Sequence, residues 1–144
     1  MRCLSFVLLL LAATAAQAQN TRDPNAADFD PVARMQRFFP DWQPPVVSQD
    51  ELSMHPLGSD QRPVRTQGVT GQHEYLGRLL CRNGKTPRFQ RLGSTAKPSP
   101  YGFPMDAYEV KCGRESTTVH MDLYHPGYRE QEPVHGFTLR EARE

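Results

Sequence analysis

Two cysteines restrict the fold of this 144-residue chain more than any other pair of residues. Bridged cysteines hold their Cα atoms within about 7 Å of each other, so a bond between Cys81 and Cys112 would bring two distant parts of the sequence together. We expect this bond to form, because two cysteines in a small exported chain are more often bridged than free. It should stabilise the fold by roughly 3–4 kcal/mol through the unfolded state.

The expectation of export comes from residues 1–18, which have the pattern of a secretory signal peptide. Met1-Arg2 supplies a positive start, and the apolar run at residues 3–16 is shorter than the roughly 20 residues that span a bilayer. Ala16-Gln17-Ala18 offers the small residues that signal peptidase accepts, so cleavage is predicted after Ala18. Cys3 leaves with the peptide. The sequence therefore predicts a periplasmic or extracellular protein without a transmembrane anchor after cleavage, and the short Ala-rich signal indicates a bacterial source.

Residues 19–70 are rich in proline and polar residues and predict an N-terminal arm with one short helix at about residues 31–39. Asp30 is suited to cap this helix and Pro31 to its first turn. An apolar stripe at i, i+3 and i+7 is formed by Val32, Met35 and Phe39. Residues 43–70 contain several prolines, which disfavour helix and remove ladder donors, so we expect an extended linker there.

Residues 71–144 predict a disulfide-braced β-rich domain. Strand patterns separated by turn residues occur at residues 74–81, 88–92, 105–112 and 117–124. Asn83-Gly84 is typical of a tight hairpin turn between the first two. In the last run one face carries the polar row Thr118, His120, Asp122 and Tyr124, which we expect to face water. The expected fold class is α+β and mostly β, with a small antiparallel sheet of about four strands, a short N-terminal helix and an extended Pro-rich segment.

The strongest candidates for site chemistry lie in and after the last predicted strand. On a strand, His120 and Asp122 project from one face and offer ligand atoms that zinc accepts. His125 points the other way unless the chain bends at Pro126-Gly127, and His135 lies a loop away. Because this spacing matches no zinc protease or zinc finger, we expect no metal and no cofactor. A zinc-dependent hydrolase that uses the His120-Asp122-His125 region is the alternative.

The charge distribution points to a second candidate site. The full chain has a net charge of +1, which becomes zero once Arg2 is removed with the signal peptide. A balanced chain lacks the positive excess that nucleic acid or an anionic membrane surface requires. Residues 71–100, however, carry six basic side chains against Glu74 alone. A basic surface for an anionic partner is predicted from Arg78, Arg82, Lys85, Arg88 and Arg91, although these residues can also neutralise the acidic residues of the second half internally.

The function class follows mainly from what the sequence lacks. It contains no Gly-x-Ser-x-Gly elbow, no Gly-rich phosphate loop and no Cys/His nucleophile pair. This favours a non-catalytic binding or interaction module of the cell envelope or extracellular space over an enzyme. The expected partner is an envelope protein, a glycan or an anionic envelope component. A secreted inhibitor or toxin-like protein is a second alternative, because a disulfide-braced sheet suits it equally well.

Overall fold

The computed structural model describes residues 29–140, which form a mixed α+β fold of mostly strands. The predicted signal peptide and its cleavage site lie outside these residues. Within the described range the helices are α1 (Pro31–Gln36), α2 (Gln49–Ser53) and α3 (Gly68–Arg78). The strands in the same range are β1 (Val64–Gln67), β2 (Leu79–Leu80), β3 (Arg88–Ser94), β4 (Met105–Cys112), β5 (Glu115–Asp122), β6 (Tyr124–Arg129) and β7 (Thr138–Leu139).

Five of these strands form one sheet in the order β3-β4-β5-β1-β6. β3, β4 and β5 follow one another as an antiparallel meander, and β1 pairs in parallel with β5 and antiparallel with β6. β2 and β7 pair antiparallel as a separate two-stranded sheet. The predicted antiparallel pairing is therefore confirmed for most of the sheet. The sheet is larger than the predicted four strands, and it contains one parallel pair.

The interpretation of residues 43–70 as an extended linker is wrong where α2 and β1 form. Ser48 caps α2, because its hydroxyl accepts a hydrogen bond from the backbone N–H of Glu51. β1 is a short strand between Pro63 and Gly68, and its own residues give only a weak strand signal. Its position is set by pairing with strands on both sides, which outweighs local propensity.

The predicted strand at residues 74–81 is wrong as far as Arg78, where helix α3 ends, and only Leu79–Leu80 form a strand, β2. Gln72, Tyr75, Leu76 and Leu79 are buried and recur at i, i+3, i+4 and i+7, which places them on one side of the helix, facing the sheet. α3 also runs across the predicted domain boundary between residues 70 and 71. The Asn83-Gly84 turn is present, with the Gly84 N–H donating to the Cys81 carbonyl at 2.8 Å. It does not join paired strands, since β2 pairs with β7 and β3 with β4.

The N-terminal helix begins where it was predicted. Oδ1 of Asp30 accepts hydrogen bonds from the backbone N–H groups of Val32 and Ala33 at 2.9 and 3.0 Å. The helix ends at Gln36, earlier than predicted, and Phe39 is exposed. Trp42 nevertheless packs on the rest of the protein, with its ring 5.2 Å from that of Phe103.

The apolar core lies between α3 and one face of the sheet. The Tyr75 hydroxyl donates to the Glu132 carbonyl at 3.0 Å and accepts from the Val134 N–H at 3.1 Å, which anchors the C-terminal segment to α3. The predicted disulfide is confirmed: Cys81 and Cys112 are bonded, with their Cα atoms 5.8 Å apart. It ties the turn after β2 to the end of β4. No helix among residues 29–140 is long and apolar enough to cross a membrane.

Candidate functional site

Asp122 is a fully buried carboxylate on the sheet face opposite α3. Its register partner on β4 is Met105, which is also fully buried, and residues directly opposite each other share a face of the sheet. The prediction that this polar row faces water is therefore wrong at Asp122, whose exposed fraction is 0 %. An aromatic layer covers this part of the face, in which Phe103 stacks on Tyr124 at 5.2 Å.

Three groups approach the Asp122 carboxylate. The Ser99 hydroxyl donates to Oδ2 at 2.5 Å, and the backbone N–H of Tyr124 donates to Oδ1 at 3.0 Å. Nε2 of His125 lies 3.3 Å from Oδ2, but the orientation of the ring does not give this contact the geometry of a hydrogen bond. Ser99 was missed because it lies in a predicted loop. The neighbouring aromatic residues Tyr101 and Phe103 were the available signal that this loop packs on the sheet.

The Ser99, Asp122 and His125 side chains do not form a catalytic triad. In a triad the imidazole lies between the nucleophilic hydroxyl and the carboxylate and accepts the hydroxyl proton. Here the Ser99 hydroxyl donates directly to the carboxylate, and His125 approaches the same oxygen. The Ser99 hydroxyl is hydrogen-bonded to the carboxylate and not to an imidazole, and this arrangement fixes the Ser99 loop and the start of β6 against the sheet.

His125 is packed among aromatic rings, and a guanidinium stacks on one of them. The Tyr101 ring lies edge-on at 4.7 Å and the Tyr128 ring at 6.4 Å. Cζ of Arg65 lies 3.9 Å from the centre of the Tyr128 ring, within the range of a cation–π contact. Burial raises the pKa of Tyr101 and Tyr128, so both phenols stay neutral near pH 7. These contacts hold His125 in a packed, largely apolar environment.

The four candidate ligands of the alternative zinc site do not converge. Nδ1 of His120 lies 3.3 Å from the Gly58 carbonyl oxygen, and His135 lies in the turn before β7. Asp122 and His125 are the pair that is brought together. Among residues 29–140, no group of three or more His, Cys, Asp or Glu side chains is arranged to hold a metal ion.

Two of the five predicted basic binding residues are used inside the fold. Arg78 is buried and donates from Nη2 to the Glu130 carbonyl at 2.5 Å, and burial lowers the pKa of its guanidinium. Arg91 donates to both oxygens of Asp106, at 2.6 Å to Oδ1 and 3.0 Å to Oδ2, and this hydrogen bonding raises the Arg91 pKa. The Arg91–Asp106 contact matches the interpretation of internal neutralisation, whereas Arg78 is held by a backbone carbonyl rather than by a carboxylate.

The other three basic residues are exposed: Arg82, Lys85 and Arg88. None of them forms an ion pair with another residue of the described range. Arg88 is the first residue of β3. Arg82 lines a cavity of about 430 Å³ together with Arg114 and His135. Arg114 was missed as a site residue, although its position two residues after Cys112 was a signal, since the predicted bond brings it close to Arg82.

The two edges of the five-stranded sheet differ in how they are protected. β6 contains Pro126, which has no N–H to donate to a further strand. β3 forms the other edge, and its residues are exposed except for the half-buried Gly93. Leu92 lies at a bulge between Arg91 and Gly93 and is 58 % exposed. The described fold is thus a mixed sheet with one side under a helix and one uncovered edge.

No family model matches this chain, and neither a curated protein nor a solved structure matches it.

Proposed function

We propose that this chain is an exported, non-catalytic interaction module of the cell envelope or extracellular space, and that it binds a protein partner along the β3 edge. The observation that carries the proposal is the long exposed edge formed by β3. An edge strand has unpaired backbone N–H and C=O groups on one side, and a partner in an extended conformation can satisfy them by adding a strand.

The side chains of this edge favour an acidic partner segment. Arg88 is exposed and without an ion pair in the described range, and Lys85 lies just before it. Leu92, four residues after Arg88 on the same strand, supplies an exposed apolar contact. A second copy of this chain is disfavoured, because it would place like charges opposite each other. The Arg91–Gly93 bulge also limits unselective pairing of the edge.

Site-specific photocrosslinking in cells that naturally make the protein tests this proposal. A photoreactive residue at position 92 should give a discrete heterologous product, while the same residue at position 69 should not. Val69 is a matched control, because it is also apolar and exposed but lies on α3, away from the edge. Protein isolated from the same cells also tests export, because its mature chain is expected to begin at Gln19.

Reversal of one charge sharpens the test. Arg88→Glu should remove the product from position 92 by repelling an acidic strand, whereas Arg37→Glu, an exposed change just after α1, should leave it intact. A product that survives Arg88→Glu, or one that proves to be a homodimer, would contradict the acidic-partner proposal. A mature chain that retains residues 1–18 would contradict export.

A further inference from the structure

The geometry points to a phosphate-binding site in the cavity beside the disulfide, on a different surface from the β3 edge. The cavity has a volume of about 430 Å³, within the usual range for ligand pockets. Its polar lining comes from Arg82, Asn83, Arg114, Glu115, Thr117 and His135. Val110, Phe137 and the two bonded cysteines supply apolar walls.

The disulfide creates this site, because it joins two segments that the sheet alone does not pair. Arg82 follows Cys81, and Arg114 lies in the tight turn between β4 and β5, two residues after Cys112. The Cα atoms of the two cysteines are 5.8 Å apart, so the two guanidinium groups are attached to neighbouring points of the backbone. Neither arginine forms an ion pair within the described range, which leaves their donors available to a ligand.

The lining favours a phosphate group over a simple carboxylate. Guanidinium groups bind phosphate and carboxylate oxygens in a two-pronged geometry. The cavity adds the Asn83 amide, the Thr117 hydroxyl and the His135 ring as further donors, and a tetrahedral phosphate has more oxygens to accept from them than a carboxylate has. Glu115 is the one acidic residue in the lining, so it should weaken the affinity for an anion.

Titration with inorganic phosphate, followed by amide NMR at constant ionic strength, tests the site. Saturable shifts are expected at residues 82–83, 114–117 and 135–137. Arg82→Gln and Arg114→Gln should each weaken binding by about tenfold, as expected for loss of a charge-assisted contact. Glu115→Gln should strengthen binding, a result that general damage to the fold would not produce.

Arg88→Gln is the matched control. Arg88 lies opposite Lys111 on β4, close in space to Cys112, but its side chain lies on the other face of the sheet, with Gln90 and Glu109. This variant should bind phosphate like the wild type. Shifts that do not saturate, an equal effect of Arg88→Gln, or no gain from Glu115→Gln would each overturn the proposal.

Vesicles identify the source of the phosphate group. If the protein binds phosphatidylglycerol vesicles but not phosphatidylcholine vesicles, and Arg82→Gln abolishes that binding, the ligand is an anionic lipid headgroup. If inorganic phosphate binds but the vesicles do not, the ligand is a soluble or polymer-borne phosphate. Both results support the site. If the β3 edge proves to bind no protein, the proposal of a phosphate site is unaffected, because the two surfaces share no residue.

Discussion

The two faces of the five-stranded sheet each bury one carboxylate, and they do so by different means. Asp106 faces α3, is 4 % exposed, and is held by Arg91, Ser94 and Gln72. Asp122 faces away from α3, is fully buried, and accepts hydrogen bonds from Ser99 and the Tyr124 backbone beside His125. The first carboxylate is paired with a permanent charge and the second mainly with neutral donors. Substitutions of the two carboxylates should therefore lower the free energy of unfolding by different amounts and with a different dependence on pH.

Removal of the Asp122 side chain should have the larger effect. Asp122→Ala leaves the Ser99 hydroxyl and the Tyr124 N–H without their acceptor beneath the aromatic layer, and unsatisfied buried donors cost about 1–3 kcal/mol each. We expect the free energy of unfolding to fall by about 3 kcal/mol, measured by urea denaturation.

Thr118→Ala is the control for this change, because Thr118 belongs to the same polar row of β5 but is exposed. It should alter the free energy of unfolding by no more than about 0.5 kcal/mol. Equal effects of the two substitutions would show that Asp122 is not the point at which the Ser99 loop and the sheet are joined.

The sequence predicted those parts of the fold in which local pattern and final environment agree. β4 has its predicted bounds, because proline and glycine limit an alternating run, and Asp30 marks the start of α1 as a cap should. β1 was missed, since its strand state depends on β5 and β6 as neighbours. Residues 74–78 are helical where the sequence predicts a strand, although the spacing of Gln72, Tyr75, Leu76 and Leu79 is that of a helix.

The Asp122 cluster could not be predicted from alternation alone. Alternation assigns a residue to a face but does not say what covers that face. The cover comes from Phe103 and Trp42, far from β5 in sequence. The disulfide was predictable because the sequence predicts a signal peptide that removes Cys3 and leaves two cysteines to pair, and the resulting proximity of Arg82 and Arg114 could have been inferred from the same bond.

Asp106 should give a smaller effect with a distinct pH dependence. Burial disfavours its charged form, but hydrogen bonds from Arg91, Ser94 and Gln72 outweigh this and hold the pKa of Asp106 below its usual value. A carboxylate with a lowered folded-state pKa stabilises the fold above its unfolded pKa of about 4, and this stabilisation is lost as the pH falls through the folded value.

Asp106→Asn should therefore lower the free energy of unfolding by about 2 kcal/mol at neutral pH. The difference from the wild type should shrink as the pH falls below about 4, which urea denaturation at a series of pH values will show. Asp41→Asn, a change at an exposed carboxylate that forms no ion pair in the described range, is the control. A difference that stays constant down to low pH would argue against a charged Asp106 paired with Arg91.

His120→Ala should have the smallest effect, even though His120 lies two residues from Asp122 on the same face of β5. Its ring contacts the Gly58 carbonyl at 3.3 Å, but the His120 backbone N–H already donates to that oxygen at 2.8 Å, so the carbonyl keeps a partner in the variant. The free energy of unfolding should change by no more than about 0.5 kcal/mol.

A zinc site needs three protein ligands at about 2.0–2.2 Å, and His120 and His135 are not grouped with Asp122 and His125 in the described range. Elemental analysis of protein purified without chelator should find no stoichiometric zinc. One equivalent of zinc that is lost in His120→Ala would instead support the alternative of a zinc-dependent hydrolase. It would also show that His120 and Asp122 bind the metal together.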